Sequence, residues 1–143
     1  MPIFIDEHVQ GFLHAGGLRL ASIYIAILIV MAIILAANVA VRRGPLQIGI
    51  GDGGNHVLHR MMRIQGNFLE YAPLCMIALI MLSIIGTPAW AIHTVGGTMG
   101  AGRALHAIGI YKTAGVSFGR VAGMFLTMSS LICAAGFLVW FGR

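Results

Sequence analysis

Hydrophobic residues fill four long stretches of this chain, at positions 18–41, 56–85, 88–110 and 115–141, and short polar or glycine- and proline-containing segments separate them. Each stretch exceeds the roughly 20 residues that a helix needs to cross the hydrocarbon core of a bilayer. Because lipid offers the backbone no hydrogen-bond partners, apolar stretches of this length must be helical. The pattern predicts one all-α integral membrane domain over residues 1–143. Its short connections favour an up-and-down bundle of four transmembrane helices.

The stretch at 88–110 is the least hydrophobic, since it contains His93, Arg103, His106 and several glycines. Thr87 before Pro88 predicts an N-cap at its start. Glycines four residues apart, at 96 and 100 and at 115, 119 and 123, predict close helix packing. Positions 1–17 carry Asp6 and Glu7 and lack a basic start, so we expect no cleaved signal peptide there.

Composition supports the membrane interpretation, because 59% of the residues are hydrophobic, only 9% are charged and the mean hydropathy is +0.93. These values exclude a water-soluble globule, a disordered chain and a nucleic-acid module. We therefore interpret the net charge of +5 as a signal of which loops face which side of the membrane. The first and third connections lie on one side, and seven of the nine cations lie near them, namely Arg42, Arg43, Arg60, Arg63, Arg103, Lys112 and Arg120. The positive-inside rule places these loops in the cytoplasm and both termini on the non-cytoplasmic side.

Polar residues inside apolar helices need a separate explanation, since they are costly in lipid unless they are paired or face a cavity. Arg60, Arg63, Asn67 and Glu70 share one stripe of the second helix, whereas Gln65 points to nearly the opposite side. Arg103 and His106 share a face of the third helix, and Arg120 begins the fourth. One explanation is that the arginines snorkel to lipid headgroups as topology anchors. That does not account for Asn67 and Glu70, so we expect a cationic pocket for an anionic ligand.

The segment 63–74, Arg-Ile-Gln-Gly-Asn-Phe-Leu-Glu-Tyr-Ala-Pro-Leu, resembles the second-helix signature of the MAPEG family, the membrane-associated proteins in eicosanoid and glutathione metabolism. The loop Gly51-Asp52-Gly53-Gly54-Asn55 is similar to that of the family's bacterial branch. The segment 102–109 resembles the third-helix motif, and Arg120-Val121-Ala122-Gly123 resembles the fourth-helix motif. The resemblance covers nearly the whole chain and implies a bacterial inner-membrane protein.

The resemblance implies a homotrimer that holds glutathione, as co-substrate, between neighbouring subunits, with no metal. It implies a glutathione transferase whose thiolate attacks a hydrophobic electrophile arriving from the lipid, with peroxide reduction as a side activity. By position, the arginine that holds the thiolate is Arg120. The implied glutathione-binding residues are Arg42 (or its neighbour Arg43), Arg63, Gln65, Asn67, Glu70, Tyr71, Arg103, His106 and Tyr111.

Three departures from relatives bear on the substrate. A tyrosine that some members place four residues after His106 is Ile110 here, with Tyr111 adjacent. Gly66 stands where some relatives have an arginine, and Met124 stands where certain eukaryotic members have a tyrosine. Eicosanoid-specific chemistry is therefore not expected.

The residues suit glutathione on chemical grounds, because arginine forks bind carboxylates and a nearby cation lowers the pKa of a thiol.

Two alternative functions stay open. One is a non-catalytic lipid-binding or scaffold protein of the same family, which would yield no glutathione-dependent product. The other is a haem carrier using two of His56, His59, His93 and His106, which a colourless purified protein would exclude. The two cysteines lie in different stretches, so no zinc-ligand spacing is present.

Overall fold

A computed structural model describes residues 16–143, and this part of the chain folds into four α-helices. They are α1 (Gly16–Leu46), α2 (His56–Ile84), α3 (Ala89–Lys112) and α4 (Phe118–Phe141). Within these residues the prediction of an all-helical fold with four helices is confirmed. The expectation about a signal peptide concerns the N-terminal segment, and positions 1–15 lie outside the described residues.

Among residues 16–143, three helices are long and apolar enough to cross a membrane: α1, α2 and α4. The sequence predicted four such helices, but α3 falls short because it carries five glycines together with His93, Arg103 and His106. It lies instead against all three other helices. Ile92, Val95 and Met99 are fully buried there. The least apolar helix therefore takes a central place, where protein surrounds Arg103 and His106, whereas His93 is exposed.

All four helices contribute to the main core, and α2 contributes to it at a regular spacing. Buried residues of α2 recur at intervals of four and three, at Phe68, Ala72, Cys75, Leu79 and Leu82. This spacing keeps one seam of a helix facing its partner over several turns. A smaller cluster near the start of α2 includes Leu58, Met61 and Ile64. Together the two clusters hold α2 firmly along most of its length, so its polar stripe has a fixed direction.

Side-chain caps fix where two helices begin. The side-chain oxygen of Asn55 accepts hydrogen bonds from the backbone N–H groups of Val57 at 3.0 Å and Leu58 at 2.9 Å, so α2 starts at His56. Ser117 caps α4 in the same way by accepting from the N–H of Arg120. The predicted cap at Thr87 is wrong. Its hydroxyl donates to the carbonyl of Leu82 at 2.9 Å, because the residue lies in the turn that closes the end of α2 and does not cap α3.

Glycines let the backbones of α3 and α4 approach each other. A Cβ atom added to Gly123 would collide with the backbone of His106 and Gly102, and one added to Gly109 would collide with the backbone of Arg120. The predicted packing role holds for Gly119 and Gly123, whereas Gly100 faces open space. The contact brings the last turns of α3 against the first turns of α4, which places His106 beside the start of α4.

We expect the substitution Gly123→Ala to destabilise the protein, because the added methyl group has no room against α3. Overpacking of this kind costs about 1–3 kcal/mol. Thermal melting of the detergent-solubilised protein measures the effect as a lower Tm. Gly136→Ala, in the same helix but with no atom within 4 Å of the new Cβ, is the matched control and should not lower Tm. Equal Tm values for the two variants would contradict the close approach of α3 and α4.

Candidate functional site

A cleft of about 800 Å³ lies between the first halves of α2 and α4, and the end of α3 forms its floor. Polar and charged side chains line one part of it, and apolar side chains line the rest. The polar lining consists of His59, Arg60, Arg63, Asn67, His106 and Arg120. The apolar lining consists of Ile110, Ala114, Val116, Val121, Met124, Phe125 and Met128. No Asp or Glu of residues 16–143 is among the lining side chains, so the cleft carries uncompensated positive charge.

The polar stripe of α2 supplies one wall. Arg60, Arg63 and Asn67 line the cleft, with Arg60 and Asn67 half-buried and Arg63 exposed. Glu70 lies on the same stripe one turn further along, is exposed and does not line the cleft. The helical spacing thus orders two guanidinium groups, a carboxamide and a carboxylate along one helix.

Arg120 supplies the opposite wall from the first turn of α4. Its Nη1 donates to two carbonyl oxygens of the preceding loop, that of Ala114 at 3.1 Å and that of Gly115 at 2.7 Å. These bonds hold the guanidinium at the edge of the cleft. A guanidinium has five N–H donors, so the donors on Nε and Nη2 stay available, since no partner for them is found within residues 16–143.

Arg103 lies behind the cleft rather than on its surface, and it is only 2% exposed. Its Nε donates to the hydroxyl of Thr127 at 2.9 Å, and its Nη1 donates to Asn67 at the side-chain oxygen, 2.6 Å, and at the backbone oxygen, 3.2 Å. The guanidinium carbon also lies 5.3 Å from the centre of the Tyr71 ring. Arg103 therefore joins α2, α3 and α4 and orients Asn67. Its contact with glutathione stays a prediction.

His106 is the residue of α3 that brings a polar group to the cleft floor. It is 8% exposed and lies one turn after Arg103. His93, in contrast, lies near the start of α3 and bonds through Nδ1 to the hydroxyl of Tyr24 at 2.8 Å. The two histidines are 13 residues apart on one helix, which separates them by about 20 Å.

Several predicted site residues lie outside the cleft of this single chain. Arg42 lines a crevice of about 330 Å³ between α1 and the start of α2, and Tyr111 lines an apolar crevice of about 210 Å³ with Asn38. Gln65 and Tyr71 are half-buried elsewhere on α2. Arg43, which follows Arg42 in the sequence, does not line that crevice. Its Nη1 donates hydrogen bonds to the backbone carbonyls of Ile48 and Gly49.

The loop before α2 contributes a feature that the predicted site did not include. One side-chain oxygen of Asp52 lies 2.6 Å from Nδ1 of His59, and the other accepts the backbone N–H of Gly54 at 3.0 Å. Gly54 has a φ of +78°, which allows the tight turn that brings its N–H to Asp52. The Gly54 N–H, and then His59, hold the pKa of the Asp52 carboxyl below its usual value. The only signal in the sequence was an aspartate seven positions before a histidine.

Within residues 16–143, three helices are long and apolar enough to span a bilayer, which is typical of a helical membrane protein. A cationic cleft lies at one end of the bundle. The chain belongs to the MAPEG family, since that family's model matches residues 21–140. It is 28% identical over 95 residues to inner membrane protein YecN of Escherichia coli (strain K12), covering 66% of this chain and 71% of the relative. YecN of Escherichia coli O6:H1 (strain CFT073) matches to the same extent. No solved structure matches the chain.

We expect the contribution of Asp52 to stability to depend on pH. A carboxyl whose pKa is lowered by folding stabilises the folded state above its unfolded pKa of about 4, and this contribution is lost as the pH falls through the lowered folded value. Asp52→Asn should therefore lower Tm at neutral pH, and the difference from the unmodified protein should vanish in acid. Melting curves across the acidic range test this. Glu70→Gln, which removes an exposed carboxylate, is the control. A difference that stays constant with pH would contradict the pairing.

Proposed function

We propose that this protein is a membrane-bound glutathione transferase that binds glutathione in the cleft and holds its sulfur as a thiolate for attack on a hydrophobic electrophile. The observation that carries the proposal is the convergence of Arg60, Arg63 and Arg120 on one cleft whose lining, within residues 16–143, includes no carboxylate. Such a site favours a ligand with more than one negative group. Membership of the MAPEG family supports the same conclusion.

Glutathione has groups that match this order of side chains. Its two carboxylates suit the guanidinium forks of Arg60 and Arg63, which bind carboxylates through two parallel hydrogen bonds. Asn67 offers a donor and an acceptor for a peptide group, although Arg103 already uses its side-chain oxygen. Its NH₂ group is then the part that faces a ligand. Glu70, one turn further, suits the ammonium group.

Arg120 has the electrostatic role in the proposed reaction. It cannot accept a proton, because a guanidinium stays protonated in proteins. The thiol proton leaves to water, and the available N–H donors of Arg120 stabilise the resulting thiolate. The sulfur then forms a bond to the electrophilic carbon, and a leaving group such as halide takes the electron pair of the bond that breaks. With a lipid peroxide, the same thiolate would attack oxygen, and a second glutathione would complete the reduction.

The electrophile has a route from the lipid. Beyond Arg120 the cleft is lined by Val121, Met124 and Phe125, and the side chain of Phe125 is 71% exposed. These side chains lie on a helix that is apolar enough to cross the membrane. A hydrophobic substrate dissolved in the bilayer can therefore reach the sulfur without passing through water.

We further propose that the working form is a homotrimer with its cleft open to the cytoplasm, in a bacterial inner membrane. Arg42, Gln65 and Tyr111 lie away from the cleft of a single chain, so they could contact the same ligand only from a neighbouring copy. Native mass spectrometry of the solubilised protein tests the assembly, and a monomer mass alone would contradict it.

The substitution Arg120→Ala should reduce kcat for glutathione conjugation to a generic aromatic halide by roughly 100-fold, as is usual when one preorganised electrostatic donor is removed. The KM for glutathione should change much less, because Arg60 and Arg63 still bind the carboxylates. Lys112→Ala, which removes an exposed cation outside the cleft, is the matched control and should keep full activity.

Equal rates for the unmodified protein and Arg120→Ala would reject the role of Arg120. Absence of any glutathione-dependent product, with a lipid retained on purification, would favour a non-catalytic lipid-binding or scaffold function instead. The apolar crevice of about 210 Å³ beside Tyr111 is where such a lipid would bind.

A further inference from the structure

The apolar half of the cleft contains two thioether sulfurs that take no part in the proposed reaction. Met124 and Met128 belong to α4 and line the cleft together with Arg120. The three residues follow one another at intervals of four, so they share one face of the helix and rise along it in steps of about 6 Å. Both methionines are half-buried, and Met124 is the nearer of the two to Arg120. A peroxide held against Arg120 therefore lies beside the Met124 side chain.

The sulfur of Met124 also has a charged neighbour behind the cleft. Its Sδ lies 4.0 Å from Nη2 of Arg103, the buried guanidinium that joins α2, α3 and α4. A thioether is a weak hydrogen-bond acceptor, so this contact leaves the lone pairs of the sulfur largely available. Met124 lines the cleft and contacts Arg103, which does not line it. A chemical change at this sulfur therefore affects both the cleft wall and the interior arginine.

A hydroperoxide oxidises a thioether to a sulfoxide without a further reactant. A lone pair of the sulfur attacks the terminal oxygen of the hydroperoxide, the O–O bond breaks, and that oxygen stays on the sulfur. The electron pair of the O–O bond leaves with the other oxygen, which takes the proton of the hydroperoxide and becomes an alcohol. The sulfur is oxidised by two electrons and the peroxide is reduced by two. The N–H donors of Arg120 that the loop carbonyls do not occupy lie one turn away and stabilise the departing oxygen.

We propose that Met124 is an oxidation site, where a hydrophobic hydroperoxide that enters the cleft in the absence of glutathione converts the thioether into a sulfoxide. This inference rests on the proposed function, because the peroxide occupies the place of the electrophile and the glutathione thiolate competes with Met124 for it. The sulfoxide is polar and replaces an apolar group on the route from the lipid. Its oxygen also gives Nη2 of Arg103 a stronger acceptor than the thioether does. Oxidation therefore makes the cleft less suited to hydrophobic substrates.

Peptide mass spectrometry of the purified full-length protein tests the assignment after treatment with cumene hydroperoxide in the absence of glutathione. Met124 should gain one oxygen atom before Met128 does. S-methylglutathione, which has no thiol to react, should occupy the cleft and slow the oxidation of Met124 several-fold. It should not change the rate at Met81, which is 45% exposed on α2 and does not line the cleft.

Kinetic measurements after removal of the peroxide test the consequence. The KM of the unmodified protein for a generic aromatic halide should rise roughly tenfold, as is usual for a poorly matched group in an apolar pocket. Met124→Leu, compared with its own untreated sample, should show no such rise, because leucine has no sulfur to oxidise. Met128→Leu is the matched control, since it removes the other thioether of the same helix face, and its KM should rise as in the unmodified protein. Leucine keeps the volume of methionine, so both variants should fold.

Two results would overturn the inference while leaving the proposed function intact. One is oxidation of Met128 in place of Met124, and the other is an equal rise of KM in treated Met124→Leu. Absence of any glutathione-dependent product from the untreated protein would instead overturn the proposed function. The mass spectra would then decide about the oxidation site alone, since selective oxidation of Met124 supports it and unselective oxidation of the methionines contradicts it.

Discussion

The hydrogen bonds of the Arg103 guanidinium join three of the four helices at the level of the cleft. A charged side chain at this depth in an apolar bundle is costly unless protein groups satisfy its donors. Here the hydroxyl of Thr127 on α4 and two oxygens of Asn67 on α2 do so, and the aromatic ring of Tyr71 lies nearby. Removing one partner of such a buried group typically costs several kcal/mol. The positions of α2 and α4 relative to each other, and so the width of the cleft, depend on this arrangement.

Charge in the cleft is arranged differently from charge in the interior. The buried guanidinium of Arg103 has its partners within the protein, whereas Arg60, Arg63 and Arg120 face a cavity whose lining, in the part of the chain that the structure describes, has no carboxylate. Arg120 is bonded on one side to loop carbonyls and keeps further donors for a ligand. The interior arginine thus supports the fold, and the cleft arginines are available to bind. A small anionic peptide would supply the missing negative charge.

Helical periodicity accounts for much of what the sequence could predict. It placed Arg60, Arg63, Asn67 and Glu70 on one face of α2. The first three line the cleft, whereas Glu70, one turn further along, does not. Periodicity also grouped Arg103 with His106, but only His106 lines the cleft, because spacing along a helix gives direction and not depth of packing. Depth depends on the glycines of α3 and α4, whose contacts became visible only in three dimensions.

Loop geometry accounts for most of what the sequence could not predict. The pairing of Asp52 with His59 requires a turn with positive φ at Gly54 and the Asn55 cap that starts α2, and neither helical periodicity nor hydropathy carries that information. The choice between Arg42 and Arg43 was undetermined for the same reason. Arg43 bonds to the carbonyls of Ile48 and Gly49, which leaves Arg42 as the neighbour without such a loop contact within residues 16–143.

The central claim is that the cleft binds glutathione and ionises its sulfur. Proton release on binding tests it most directly, by calorimetric titration at about pH 7, where a free thiol with a pKa of about 8.5 is mostly protonated. Titrations in buffers of different ionisation enthalpy give the number of protons released, and S-methylglutathione, which has no thiol, gives the contribution of all other groups. We predict that glutathione releases about one proton more than S-methylglutathione for each molecule bound, as ionisation of the thiol requires. Equal proton release for the two ligands would contradict the account.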